Sequence, residues 1–354
     1  MKRAWLAIGV VSLAQVAAVA TGSGQGQAPV TIGSVTAAPG SMASGSLDVP
    51  ARPGDTGTTI PITVINGTSP GPVLALVAGT HGMEYVPIIA LQRLRPKIDP
   101  RNLRGTVVMI HVANMPSFLG RTIYYSPADG KNLNRVFPGK ADGTLSERIA
   151  EVITREVIAR ATHVVDLHCG DGNESLRPYS YWITTGDPKV AESGRAMALA
   201  FGLDHIVVDS ARPTDPAASV YLSNTAITRG KPALTTETGG MAVVDDASIA
   251  LVHNGVAGLL RHLGMRTDGP PAVATPVWIE PSEVLRAGVT GIFYAVVERG
   301  QSVTKGAQIG FISDFSGNRI LERVLAPFDG EILYVIGTPP ITKGEPVAMV
   351  GARK

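Results

Sequence analysis

Seven short apolar runs, interleaved with stretches of helical spacing, constrain this chain more than any other feature. They begin with "TIPITVING" and "GPVLALVAG", pass through "GTVVMIHVAN", "THVVDLH", "YSYWITTG" and "HIVVDS", and end with "KPALTTET". Between and after them, "EYVPIIALQRLR", "LSERIAEVITREVIARA", "VAESGRAMALAFG" and "ASIALVHNGVAGLLRHLG" place apolar residues three and four apart. Near-continuous apolar strands separated by amphipathic helices predict an α/β fold, a mostly parallel or mixed sheet with helices on both faces. In such sheets the site lies at the carboxyl ends of the strands.

The texture changes after residue 265. "RTDGPPAVATP", residues 266–276, reads as a Pro/Gly-rich linker, and residues 277–354 show short strands, glycine turns and no long helical pattern. A weak echo links "GIFYAVVERGQSVTKG" from Gly291 with "GEILYVIGTPPITKG" from Gly330, which predicts a small β-barrel or sandwich of paired halves. This segment resembles the biotinyl/lipoyl hammerhead fold. The turn "SDFSGNRI" has no lysine to carry a prosthetic group, which argues against a carrier role.

At the other end, residues 1–20 combine a basic start, an apolar middle and the small-x-small triplet Ala18-Val19-Ala20. This predicts a cleavable signal peptide and an exported, periplasmic or secreted protein, with an uncleaved anchor as the alternative. Residues 21–57, rich in Gly, Ser and Ala, read as a flexible lead-in, leaving 58–265 as the catalytic unit. Without Lys2 and Arg3 the formal charge falls from +2 to zero, so nothing points to nucleic acid or an anionic membrane as a partner. The single cysteine, Cys169, excludes an intramolecular disulfide.

The chemistry gathers at strand ends. In "LVAGTHGMEYVP" an apolar run stops at a Gly-Thr-His-Gly turn, and Glu84 follows His81 by three residues as a helix opens. His-x-x-Glu alone is commonly incidental. A second strand end, "VVDLHCGDG", supplies His168, and two histidines with one glutamate, the fourth position left to water, make a catalytic zinc set of one ion per chain. Asp166 either braces a ligand imidazole from behind or caps the next turn. The histidines at 111, 163, 205, 253 and 262 lack this setting and are assigned to core or surface.

"DGKNLNRVFPG" concentrates Asn132, Asn134 and Arg135 in a turn-rich segment, and an arginine fork beside an amide suits a substrate carboxylate. "ALTTETGG" ends a strand at Glu237, ahead of two glycines. Taken singly, such a loop group is commonly solvated and such a glutamate commonly lies on the surface. Arg177, in "NESLRPYSYW", is either a second carboxylate contact or an exposed loop residue.

Taken together and in order, H-x-x-E, D-G-K-N-L-N-R, D-L-H and T-E-T-G-G resemble the succinylglutamate desuccinylase/aspartoacylase family of the zinc carboxypeptidase superfamily, over roughly residues 60–354. The resemblance implies His81, Glu84 and His168 as zinc ligands, Asn134 and Arg135 as carboxylate binders, and Glu237 as general base. It also implies an arginine, polarising the scissile carbonyl, where this chain has Tyr124 in "GRTIYYSPADG"; the nearest arginine is Arg121, which is assigned that role. The implied activity is hydrolysis of the amide of an N-acyl amino acid. A periplasmic carboxypeptidase acting on peptides or cell-wall fragments, and a non-catalytic binding protein of the same fold, are the alternatives.

Overall fold

The computed structural model of the protein describes residue 1 and residues 26–354. The signal-peptide reading, apart from Met1, falls outside the described residues. Among those described, no helix is long and apolar enough to cross a membrane.

The chain opens with β1 (Val30–Ile32), β2 (Val35–Ala37) and β3 (Ser41–Val49), followed by β4 (Thr58–Asn66), β5 (Ser69–Ala78), β6 (Arg104–Ile110) and β7 (His163–His168). Next come β8 (Glu174–Leu176), β9 (Tyr179–Ile183), β10 (His205–Asp209) and β11 (Ala233–Glu237). Six α-helices accompany these strands: α1 (Tyr85–Leu94), α2 (Met115–Gly120), α3 (Leu145–Ile153), α4 (Pro188–Phe201), α5 (Leu222–Ile227) and α6 (Asp246–His262). The C-terminal region adds β12 (Val277–Arg286), β13 (Gly291–Ala295), β14 (Ser302–Val303), β15 (Gln308–Ser313), β16 (Ile320–Leu325), β17 (Gly330–Ile336), β18 (Pro340–Ile341) and β19 (Pro346–Arg353).

The centre of the large sheet runs β9-β11-β7-β5-β6, parallel at β11/β7, β7/β5 and β5/β6 and antiparallel at β9/β11. Strand β5 shows why the sheet is buried on both faces. Leu74, Leu76 and Ala78 pack with α1, α4 and α6, while Ala75 and Val77 pack with α3 and α5 on the other side. All five are fully buried. Alternation across a pleat sends successive residues to opposite layers, so an unbroken apolar run is what a central strand requires. Truncating Leu76 to alanine would cost about 2–5 kcal/mol through lost burial and a cavity.

Two expectations change. The stretch expected to be a flexible lead-in is ordered from residue 30: β3 pairs antiparallel with β4 over nine residues and forms the sheet edge. Leu47 and Val49 are buried there, and the Asn66 amide donates to Ala28 O and Ala37 O, pinning the β1–β2 hairpin. A Gly/Ser-rich composition matches that of linkers, but alternation with a partner strand overrides it.

The C-terminal region, mainly β as expected, also continues the large sheet. β12 pairs parallel with β10, then antiparallel with β19, which pairs with β17. β8 reaches across from the catalytic side to pair with β17. A separate four-stranded sheet, β16-β15-β13-β18, completes the region.

Candidate metal centre and pocket

Parallel register assembles the site. On β5, Ala78 lies opposite Leu167, so the turn after β5 and the end of β7 emerge side by side. On β11, Glu237 lies opposite His168. The turn itself depends on its glycines: Gly79 sits at φ +72°, and a Cβ on Gly82 would stand 2.3 Å from Ser117 O. Glu84 is the N-cap residue of α1 but makes no side-chain capping bond; its carboxylate turns to the histidines instead.

His81 Nδ1 lies 2.7 Å from Glu84 Oε1, and His168 Nδ1 lies 2.9 Å from Glu84 Oε2. One donor atom from each of the three residues falls within 4.8 Å of the others. Each far nitrogen faces an acceptor, and His168 Nε2 also has the Asn134 amide nitrogen 3.1 Å away. His168 Nε2 faces Asp166 Oδ1 at 2.9 Å, and His81 Nε2 faces Asn132 Oδ1 at 3.1 Å. In one tautomer the ring protons sit on Nε2 and both Nδ1 lone pairs aim at the carboxylate. Atoms this close share either a proton on Nδ1 or a metal cation between them. The Glu84 Oε2 atom is buried and receives no hydrogen bond. Two imidazoles and a carboxylate in this arrangement fit Zn²⁺.

Among themselves these groups also pair by charge. Burial pushes Glu84 upward, but His168 and His81 outweigh it and hold the carboxyl at about 2. Burial pulls His168 down, and Asp166 and Glu84 raise it well above the usual imidazole range. Glu237 sits beside this cluster with Oε2 buried and without a donor. Burial holds its carboxyl well above the usual range, opposed by His168 and reinforced by Glu84 and Glu174.

A cavity of about 590 Å³ opens over the cluster, lined by His81, Glu84, Tyr124, Arg135, Glu237 and Arg286 among others. Arg135 points into it, with Nη1 donating to Asn134 O at 2.8 Å and the guanidinium 4.6 Å above the Tyr221 ring.

Of the other sequence-assigned residues, Asn134 lies behind the cluster, and Arg121 and Arg177 lie elsewhere. Asn134 is buried: its Nδ2 donates to Asp166 Oδ2 at 3.1 Å and lies 3.1 Å from His168 Nε2, and its Oδ1 accepts from Leu222 N at 2.8 Å. Its role is to hold Asp166, and Asn132 is the asparagine that faces the pocket. Arg121 is an exposed left-handed cap at the end of α2, lining a separate apolar groove with Phe118 and Val244. Arg177 is paired with Glu331 and with Asp204, whose Oδ2 lies 3.0 Å away, outside the pocket. The pocket instead contains groups that sequence reasoning missed: Tyr124, Glu174, Tyr179, Tyr181, Arg286 and Tyr334. Only "YSYW" carries a local signal, two tyrosines on the same face of a strand.

Comparisons with known proteins agree with this layout. Residues 70–263 match the succinylglutamate desuccinylase/aspartoacylase catalytic domain. The chain belongs to that family. The N-alpha-acetyl-L-2,4-diaminobutyric acid deacetylase of Halomonas elongata is 31% identical over 264 residues, 73% of this chain and 75% of that protein. Among solved structures, the product-bound ectoine utilization protein EutE of Ruegeria pomeroyi superposes with a TM-score of 0.78 at 27% identity, covering 88% of this chain and 95% of that one. A succinylglutamate desuccinylase/aspartoacylase from Rhodobacter sphaeroides gives 0.76 at 28% identity with the same coverage. This is a family of deacylases that act on the amide bond of N-acyl amino acids.

Proposed function

We propose that this member is an exported zinc-dependent deacylase that hydrolyses the amide of an N-acyl amino acid. The observation that carries the reading is the convergence of two Nδ1 atoms on a buried carboxylate, with an unpartnered Glu237 oxygen beside them. His81, Glu84 and His168 would hold the zinc, and Asp166 and Asn132 would fix the imidazole tautomers from behind. When bound, zinc supplies Lewis acidity, lowering the pKa of water and polarising a carbonyl.

The remaining chemistry belongs to side chains. Arg135 binds the carboxylate of the amino acid through the guanidinium edge not used on Asn134 O, placing the amide above the cluster. Glu237 takes the proton from the attacking water and delivers it to the departing amine. Burial, which raises its pKa, suits a carboxyl that must hold the proton between those two halves. Export rests on the pattern of residues 1–20.

The test is a zinc-loaded preparation offered N-acetyl and N-succinyl amino acids and short peptides, with release of free amine as the readout. Turnover of N-acyl amino acids and not of peptides is expected. Cleavage confined to peptide C-termini would overturn the deacylase reading in favour of a carboxypeptidase, and inertness toward every compound would favour a binding protein.

A further inference from the structure

The metal cluster makes one part of the pocket polar, but the wall supplied by the C-terminal region is largely apolar. Val284 comes from β12, Pro346 from β19, and Tyr334 from β17, where it lies opposite Leu176 of β8. Tyr125, in the loop after α2, borders the same cavity. Tyr334 and Leu176 are buried, whereas Tyr125 is 56% exposed and Val284 37% exposed. Large apolar side chains open to water are ordinary when scattered, but around a concave site they mark surface that a ligand covers. The charged groups here are engaged locally. Arg286 Nη1 donates to Gly344 O at 3.0 Å, and Glu174 accepts from the Tyr124 hydroxyl at 2.7 Å and the Asp171 amide at 3.0 Å.

Size points the same way. Cavities of about 300–1,000 Å³ take drug-sized ligands. At about 590 Å³ this one has more room than an N-acetyl amino acid fills. With the α-carboxylate on Arg135 and the amide above the metal cluster, two parts of the substrate remain to use the space. The amino-acid side chain leaves the same carbon as the carboxylate and so stays close to Arg135. The acyl group begins beyond the amide, further from that anchor, and is the part free to extend along the C-terminal wall.

We propose that the wall of Val284, Tyr334, Pro346 and Tyr125 is an acyl-chain site, and that this enzyme prefers N-acyl amino acids with an extended apolar acyl group to their N-acetyl counterparts. An alkyl chain laid against these side chains removes apolar surface from water on both partners, worth roughly threefold in affinity per methylene. A polar or charged acyl end would lose its hydration there without gaining a partner. The proposal rests on the deacylase reading for its reaction but not for its recognition chemistry.

The experiment therefore measures binding as well as turnover on the zinc-loaded full chain. Kinetics compares N-acetyl-, N-butanoyl- and N-hexanoylglycine, and sets the last against N-acetylnorleucine, an isomer with the same extra carbons on the α-carbon. Calorimetry compares levulinate with its pentyl ketone homologue, isosteres of N-acetyl- and N-hexanoylglycine in which a methylene replaces the amide N–H. Affinity and kcat/KM should rise roughly threefold per added methylene, so that hexanoyl exceeds acetyl by something on the order of a hundredfold. In Val284→Asp and in Tyr125→Ser, each checked for folding by circular dichroism, that ratio should fall by about tenfold, whatever happens to the absolute values. Equal or better use of N-acetylglycine by the unaltered protein, or an unchanged ratio in both folded variants, overturns the proposal. A preference for N-acetylnorleucine overturns it in favour of a side-chain site. Preferential binding of the pentyl ketone without turnover of any N-acyl compound upholds the acyl-chain site and refutes the deacylase reading.

Discussion

Two buried carboxylates, each surrounded by basic side chains, serve opposite ends. Glu84 sits between His81 and His168, 3% exposed, with Oε2 receiving no hydrogen bond. Glu331, 1% exposed, pairs with Arg177 and Arg353 and has His205 3.4 Å from Oε2. At Glu331, on β17, both oxygens are used by side chains from β10, β19 and the β8–β9 turn, which closes the seam between the catalytic side and the C-terminal region. At Glu84 each imidazole can present either a proton or, in its other tautomer, a lone pair. A carboxylate saturated by arginines holds a fold together, whereas two imidazoles gathered on one carboxylate form a set that can bind a metal ion.

The contrast is broken or sharpened most strongly at Glu237, which adjoins the open cluster and is not a ligand of it. Glu237→Gln should keep zinc and substrate binding while kcat falls by something on the order of 10²–10⁴, the usual contribution of a positioned base. Single-turnover kinetics paired with calorimetry would show this, and full activity would remove Glu237 from the mechanism.

The saturated cluster should respond in stability instead. Glu331→Ala leaves Arg177 and His205 enclosed without their carboxylate and should cost about 3–5 kcal/mol in urea unfolding. Zinc content should stay the same. A loss below about 1 kcal/mol would mean that solvent already screens the pair.

His111 supplies a third case, a buried imidazole with no carboxylate. Among the described residues the imidazole's only hydrogen-bond partner is Thr63 Oγ1 at 2.9 Å. Burial, with a smaller effect from Arg95, lowers it to about 4. Between pH 6.5 and 4 the unfolded chain binds a proton that the folded one refuses. Stability at this site is therefore complete above about pH 6.5 and falls as the pH drops toward 4, by up to about 3 kcal/mol. Urea midpoints across that range should lose the corresponding slope in His111→Gln; an unchanged slope would place the acid sensitivity elsewhere.

The smallest effect is expected at Arg121. With its side chain exposed and outside the main cavity, Arg121→Ala should leave turnover unaltered and shift stability by no more than about 0.5 kcal/mol. A large loss of kcat would restore the arginine role that the sequence suggested.

These cases also show what could be read in advance. His81, Glu84, His168 and Glu237 were legible because a strand end followed by glycine is a local pattern, and parallel register then brings such ends together. Asn134 misled because a single turn separates it from Asn132: Asn132 Oδ1 caps the Asn134 amide at 2.8 Å and sends the two side chains in different directions. Arg177 and Arg286 exchange expectations for a longer-range reason. The pairing of β8 with β17 draws Arg177 to Glu331, and the β12–β19 pairing brings Arg286 to the pocket, where its Nη1 donates to Gly344 O at 3.0 Å. Neither partner lies near in sequence. The N-terminal strands were hidden by small-residue composition, although their alternation becomes plain once β4 stands beside them.

The most direct measurement is elemental analysis of purified wild-type protein and His168→Ala, each checked for folding by circular dichroism. About one zinc per chain is expected in the wild type, as for a three-ligand catalytic site. The folded mutant should contain essentially none. Equal zinc in the two proteins, or none in either after zinc is supplied and excess removed, would contradict the assignment of His81, Glu84 and His168 as the metal centre.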